Sequence, residues 1–416
     1  MVRIMVVFVL CLVGISLQAQ DDFYLEDYVY VEQIKSVKFH PVNDPARHPV
    51  YKMGDDTPLH FSFDDLDAID KRYTYSIFHC DMNWKLSDLI ESDYLQGFNG
   101  EELTGSGHSV QTRIPYVHYD LVLPNEYIRW KISGNYLLVI RDEDKNPVIT
   151  KRFLVVEPKV SVNAVFERPK DVSTLYTHQS LVLSVETNDL YIRDPLNEVK
   201  VSVLQNFRWL DGIFNVSPKF VAGSRLNFDV FSPFNFKGYK DFRSFDIRSL
   251  QYTNRNVYSI NIKPKRIDVL LEKTRNRSGA NYLTELDANG NFIIGTSGSM
   301  YGDRGAEYVN VGFTLEAPQP FEKNDVYIIG GFSDWQLYEN NKMRYDPENG
   351  FYVADVLFKQ GFYDYYYTTV DQNGQFNLDA LEGSWHETEN DYYVLVYIRE
   401  FGAYYDKLIG YFVIKS

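Results

Sequence analysis

The chain reads as an all-β protein built from tandem β-sandwiches. Three observations predict this. Apolar residues alternate with period two in run after run, turn signals separate the runs, and long amphipathic helical windows are missing. In "LHFSFDD", Leu59, Phe61 and Phe63 fall on one face; "SLVLSVE" does the same for Leu181, Leu183 and Val185. "EVKVSVL" repeats the pattern with Val199, Val201 and Val203, and "FYVADVLF" follows it. Asn289-Gly290 in "ELDANGNFII" is a favoured type I′ turn pair, and "RDEDKNP" separates "YLLVI" from "VITKRFLVV" as a hairpin loop would. "WKLSDLIESDYL" has room for a turn or two of helix at most.

The chain begins "MVRIMVVFVLCLVGISLQAQ": one basic residue, an apolar run from Ile4 to Leu17, then small and polar residues. That is the form of a secretory signal peptide cut after Ala19, and it predicts an exported protein. No later segment approaches the roughly 18 apolar residues that a spanning helix needs. Proline rarely sits inside a central strand, so "VVEPKVSV" near Glu157-Pro158 and "LEAPQPFEKND" near Pro318-Pro320 read as linkers. The expected organisation is a leader over 1–19 and an N-terminal sandwich over 20–157. A middle sandwich with extended hairpins would cover 158–318, and a C-terminal unit 319–416.

Cleavage of the leader removes Cys11 and leaves Cys80 as the one cysteine, so no internal disulfide supports the fold. The formal net charge is −15 for the full chain, which argues against nucleic acid and against anionic lipid as partners. Tyr, Phe and Trp make up 16% of the residues, a load that suits both strands and interaction surfaces.

"HCDMNW" places His79, Cys80 and Asp81 side by side, residue types that form nucleophile–base pairs and metal sites. On a strand, however, Tyr73, Tyr75, Ile77 and His79 share one face, while Thr74, Ser76, Phe78 and Cys80 share the other. His79 and Cys80 then point apart, Cys80 acts as a small buried hydrophobe, and Asp81 and Asn83 serve the following turn. The other catalytic templates fail: there is no G-x-S-x-G, no H-E-x-x-H and no C-x-x-C. The eight histidines lack metal-ligand spacing. "DANGN" and "DQNGQ" lack the acidic ladder of a calcium loop. Neither a catalytic site nor a cofactor, metal or small-molecule substrate is expected.

The stretch Phe231–Leu250, "FSPFNFKGYKDFRSFDIRSL", interleaves aromatic and basic residues. Asp246 and Arg248 are spaced to pair on one strand face. If the stretch projects as an aromatic edge, Phe234, Phe236, Tyr239, Phe242 and Phe245 become partner-binding candidates, joined by Trp209 and Phe214 of "RWLDGIFN".

The segment from Val326 to Asp371 resembles the early-set immunoglobulin-like domains that include glycogen- and starch-binding modules. It carries "GGFSDW", a basic-to-aromatic stretch and "GFYDYYYTTVD". Trp335 matches the first sugar-stacking tryptophan of such modules. Phe376 stands about where the second belongs, and Tyr365 or Tyr366 takes the place of the expected lysine. The resemblance implies an immunoglobulin-like C-terminal unit, with Trp335 and Phe376 as sugar-stacking residues in an alternative, carbohydrate-binding reading.

Four further motifs occur together and in order: "FSFDDLDAIDKRYTYSIFHCDMNW", "SGNYLLVI", "KDFRSFDIRSLQYTNRNV" and "TENDYYVLVYIREFGAYYDKLIG". On these the chain, from about Val31 to Ser416, resembles the Plug family of the Bacteroidetes type IX secretion system. The resemblance implies a non-catalytic periplasmic protein at the inner face of the outer membrane. It would bind the giant translocon barrel (SprA, or Sov) and seal the periplasmic end of its pore when cargo is absent.

Overall fold

Alternating strands bury one face on a core, and here several of the long ones bury the other face as well. A computed structural model describes residues 22–55, 57–188, 190–228, 233–297 and 301–416, so the expected leader and Cys11 lie outside the described residues. In the strand Leu59–Asp65, Leu59, Phe61 and Phe63 are fully buried in the first core, as the alternation predicts. Ser62 and Asp64 on the opposite face are buried too, because a second sandwich covers them. The fold is all-β, with sandwiches packed against one another.

The first sandwich spans two sheets. One orders Tyr28–Val29, Pro147–Val156, Gly134–Arg141, Thr74–Cys80 and Glu101–Glu102, with Val50–Lys52 beside Pro147–Val156; the other orders Ile34–Pro41, Leu59–Asp65, Val117–Leu123 and Gly105–His108. The "RDEDKNP" hairpin forms as expected, joining Gly134–Arg141 to Pro147–Val156. The sandwich ends at Val156, and Ser161 opens the next strand, so the linker falls at Glu157-Pro158. The helical window yields a single turn, Glu91–Tyr94.

The middle and C-terminal units are not consecutive. Ser161–Glu167, His178–Glu186, Arg225–Asn227 and Phe220–Ala222 form one sheet, with Phe234–Lys237 also on His178–Glu186. The facing sheet orders Ile213–Val216, Val199–Gln205, Asp391–Ile398 and Lys407–Lys415. The last two strands of the chain therefore complete the middle sandwich, with Val199 opposite Ile398 and Gln205 opposite Tyr392. Between them is inserted a third sandwich, which runs from Arg243–Asp246 to Phe376–Asn377 around its own core of Phe245, Val311, Phe313 and Tyr365.

One expected boundary and the unit it was to open are corrected by this topology. Pro318-Pro320 is an internal loop of the third sandwich, between the strands Tyr308–Glu316 and Asp325–Ile329, and no domain ends there. The unit 319–416 does not stand alone: its first part shares a core with residues that precede it, and its last part pairs with Val199–Gln205. Proline at a loop between two strands of one sheet satisfies the same backbone restriction as proline at a linker, so the signal could not separate them.

Candidate functional site

The three sandwiches meet around a cleft of about 400 Å³, and three of the sequence candidates reach it. Trp209, Trp335 and Phe376 all line it, together with Phe207, Lys38 and Asp334. Trp209 and Phe207 follow the strand Val199–Gln205; Asp334 and Trp335 follow Asp325–Ile329; Lys38 comes from the first sandwich. Both loops are strained in the same way. Asn206 and Phe207 have φ of 50° and 56°, and Asp334 and Trp335 have φ of 51° and 62°. Asn and Asp tolerate the left-handed region, but for Phe and Trp it costs about 1–3 kcal/mol each. The glycines of "GGFSDW" make the second loop possible: a Cβ on Gly331 would meet the Gly290 carbonyl oxygen at 2.7 Å.

Charge crosses the cleft from the first sandwich to the third. Lys151 pairs with Asp334, and Lys38 Nζ donates to the Phe292 carbonyl at 2.7 Å and to Asn291 Oδ1 at 3.3 Å. Burial pulls the Lys38 ammonium down to about 7, and the Lys151 charge adds to that. Burial would lower Lys151 as well, but the carboxylates of Asp334 and Asp27 outweigh it and hold Lys151 above its ordinary value. His48 lies flat on Phe207 with ring centroids 4.0 Å apart, and burial pushes its pKa to about 3, so it is neutral.

The aromatic candidates are consumed by the fold. Trp209 packs edge-on against Trp84 at 4.9 Å, with the Arg152 guanidinium over both rings. Trp335 is flanked by Phe242 at 5.8 Å and covered by the Arg208 guanidinium at 5.5 Å. Its indole is thus occupied within the protein.

The projecting edge expected at Phe234–Phe245 does not exist. Phe234 and Phe236 belong to the middle core, Phe245 to the third, and Phe242 stacks on Tyr366 at 3.9 Å between them. All four are buried, and Tyr239 is half-buried under Arg208. The stretch is rich in aromatics because it crosses from one core to the next. Of the seven partner candidates only Phe214, at 39%, is exposed. The pairing of Arg248 with Asp246 does form, at 2.6 Å.

The "HCDMNW" turn is structural. Cys80 and Trp84 face the middle sandwich, in a cluster with Leu204, Tyr393 and Leu395, whereas Tyr75 and Ile77 face the first core. His79 Nδ1 sits 3.0 Å from Ser87 Oγ, and burial drops its pKa to about 4. Asp81 Oδ1 accepts the turn amides of Asn83 and Lys85 at 2.8 and 2.9 Å. Among the described residues no group of three His, Cys, Asp or Glu is placed to hold a metal ion.

Sequence reasoning missed a buried polar network between the first and third sandwiches. Asp64 Oδ2 accepts from Lys359 Nζ at 2.6 Å and from the Tyr308 hydroxyl at 2.6 Å, while Oδ1 meets His118 Nδ1 at 2.6 Å. Lys359 and Asp64 have side chains 1% and 0% exposed. The hint in the sequence is the aspartate pair Asp64-Asp65 at the end of the strand "LHFSFDD".

Residues 34–157 match the family described as type 9 secretion system plug protein, first domain. The match coincides with the first sandwich. A solved structure of a hypothetical protein from Parabacteroides merdae superposes with a TM-score of 0.88 at 29% identity, covering 94% of this chain and 99% of that one. No curated protein matches the chain.

Proposed function

We propose that this protein is a non-catalytic plug of type IX secretion. It would reside in the periplasm, bind the outer-membrane translocon barrel of the SprA (Sov) type, and close the periplasmic end of its pore while no cargo occupies it. The observation that carries this reading is the plug-family match over residues 34–157, the sandwich that contacts both of the others. The architecture supports it. A stopper has to resist deformation, and here each sandwich is locked to its neighbours by buried contacts rather than strung on free linkers. A stopper must also be removable, which calls for a transient interface with a few aromatic anchors inside a polar rim.

The test is a pull-down of the tagged mature chain from detergent-solubilised outer membranes, with the retained proteins identified by mass spectrometry. Stoichiometric recovery of a very large β-barrel is expected, and a strain lacking the protein should admit small antibiotics. Absence of any barrel, under detergent conditions that keep the translocon intact, refutes the reading.

A further inference from the structure

The third sandwich is fastened differently from the other two. Among the described residues, each sandwich has a buried apolar cluster of its own, and another joins the first sandwich to the middle one. None joins the third to the first. The remaining cluster lies within the third sandwich and the chain that enters it, around Tyr239, Phe242, Tyr327 and Tyr366. The first and third sandwiches meet instead through Asp64 with Lys359, Lys151 with Asp334, and Lys38 with the Phe292 carbonyl. Their contact is also poorly filled. Phe292 and Asp334 border both the cleft of about 400 Å³ and a second cavity of about 530 Å³, which Lys35, Asn310, Phe332 and Lys359 also line. Well-packed interiors do not hold voids of that size.

The two contacts differ in what it takes to open them. Parting the first sandwich from the middle one exposes Leu137, Leu154, Leu204 and Leu395, at about 1.5–3 kcal/mol each. Parting it from the third exposes polar groups that water takes over. A hydrogen bond there is worth about 0.5–1.5 kcal/mol net, and rehydration of the charges offsets much of what an ion pair loses. Domains joined by such a contact move against each other by default.

The covalent attachment has the form of a hinge. The chain leaves the middle sandwich after Lys237 and returns to it at Asp391. On the way the two crossings pair with each other: Tyr239 bridges Ser384 in antiparallel sense, Lys240 donates its amide to the Gly383 carbonyl at 3.1 Å, and Trp385 donates to the Gly238 carbonyl at 2.5 Å. Each crossing carries a glycine at the bridge. Gly383 has φ of 73°, and a Cβ on Gly238 would collide with the Trp385 carbonyl. A two-stranded ribbon is weak in isolation, and glycine widens the dihedral range through which it can bend. Arg208 of the middle sandwich lies over Tyr239 of the ribbon at 5.1 Å and marks the pivot.

We propose that the third sandwich is a hinged arm. It swings about the Gly238–Gly383 ribbon, off the first sandwich, and opens the cleft, while the first and middle sandwiches stay together. The closed arrangement is the ground state, and the open one is a minor state of the kind populated at roughly 0.1–10%. The inference goes beyond the plug reading and stands without it.

The experiment measures spin-label distances by pulsed EPR in residues 20–416, with labels on cysteines at exposed positions. Asp144→Cys with Glu348→Cys reads the first sandwich against the third, and Asp144→Cys with Lys219→Cys reads it against the middle one. Cys80 is buried and stays unlabelled. The first pair should show a second, longer distance, and Asp334→Asn should enlarge its population about tenfold or more. The second pair should keep one distance throughout. A single first–third distance in both proteins overturns the hinge, and so does a second first–middle distance. Hydrogen exchange over Tyr308–Glu316 is read alongside, and protection equal to wild type shows that the arm moves folded. Where Asp334→Asn loses that protection, Lys38→Gln decides instead. It weakens the same contact from the first sandwich, and an unchanged single distance there overturns the hinge.

Discussion

The first sandwich has two neighbours and meets them through opposite chemistry. Against the middle sandwich it presents Cys80, Trp84, Leu137, Val139 and Leu154, which pack on Leu204, Tyr393, Leu395 and Tyr397. Against the third it presents Asp64, Lys38, Tyr116 and Lys151, which meet Lys359, the Phe292 carbonyl, the carbonyls of Asp303 and Ala306, and Asp334. An apolar interface is non-directional and gains from every buried Å². A buried ionic one has to repay desolvation through close geometry, and it fails when one partner is lost. The middle contact therefore behaves as a continuation of the core, while the third contact depends on hydrogen-bonded and ionic pairs, Asp64–Lys359 the most buried of them.

The largest effect that would test this contrast is at Asp64. Asp64→Ala leaves Lys359 buried without its carboxylate, so a loss of about 3–5 kcal/mol is expected. Chemical denaturation measures it, and limited proteolysis should show the third sandwich released while the other two stay together. Asp64→Leu combined with Lys359→Met should recover most of the loss; if it does not, the interface is not governed by this pair. Burial would raise the Asp64 pKa, but Lys359 and His118 outweigh it and keep the carboxyl below its ordinary value. Its contribution is therefore present at neutral pH and is lost only as pH falls below the carboxylate range.

At the apolar interface, Leu395→Ala should cost about 2–5 kcal/mol without freeing the third sandwich from proteolytic protection. A thiol reagent should label Cys80, 1% exposed, only after denaturation; fast labelling of native protein would show that this interface opens.

A smaller effect concerns the turn that meets the cleft. Asp364 accepts the amides of Ala288 and Gly290 at 2.6 and 3.1 Å, and burial, reinforced by the Asp287 charge, pushes its pKa up to about 8. A carboxyl raised in the folded state favours folding while protonated, and its ionisation erodes stability as pH climbs from the ordinary value of 3.8 towards 8. Asp364→Asn retains an acceptor for both amides. It should gain on the order of 1 kcal/mol or more at pH 8 and little at pH 4, read from melts across pH. Least of all, Arg248→Ala at the half-exposed Asp246 pair should change stability by about 0–1 kcal/mol.

How much of this was legible depends on the range of the interaction. Strands were readable because a side-chain period of two is local: Leu59, Phe61 and Phe63 announce their face without any partner. The opposed faces of Tyr75 and Cys80 followed from the same rule, as did the turn role of Asp81. Placement of the aromatic stretch was not readable. A projecting edge and a crossing between two cores both demand Phe at alternate positions, and only the neighbours distinguish them. The insertion was hidden for a related reason, since "YYVLVYI" advertises a buried strand but not that its partner is Val199–Gln205.

The sequence by itself determined the class of fold and the opposed faces of His79 and Cys80, because each rests on local backbone geometry. Tertiary structure alone decided which polar groups are buried, which aromatics remain free, and which strands share a sheet. Those are properties of chain segments tens to hundreds of residues apart, and burial exists only once the covering surface has arrived.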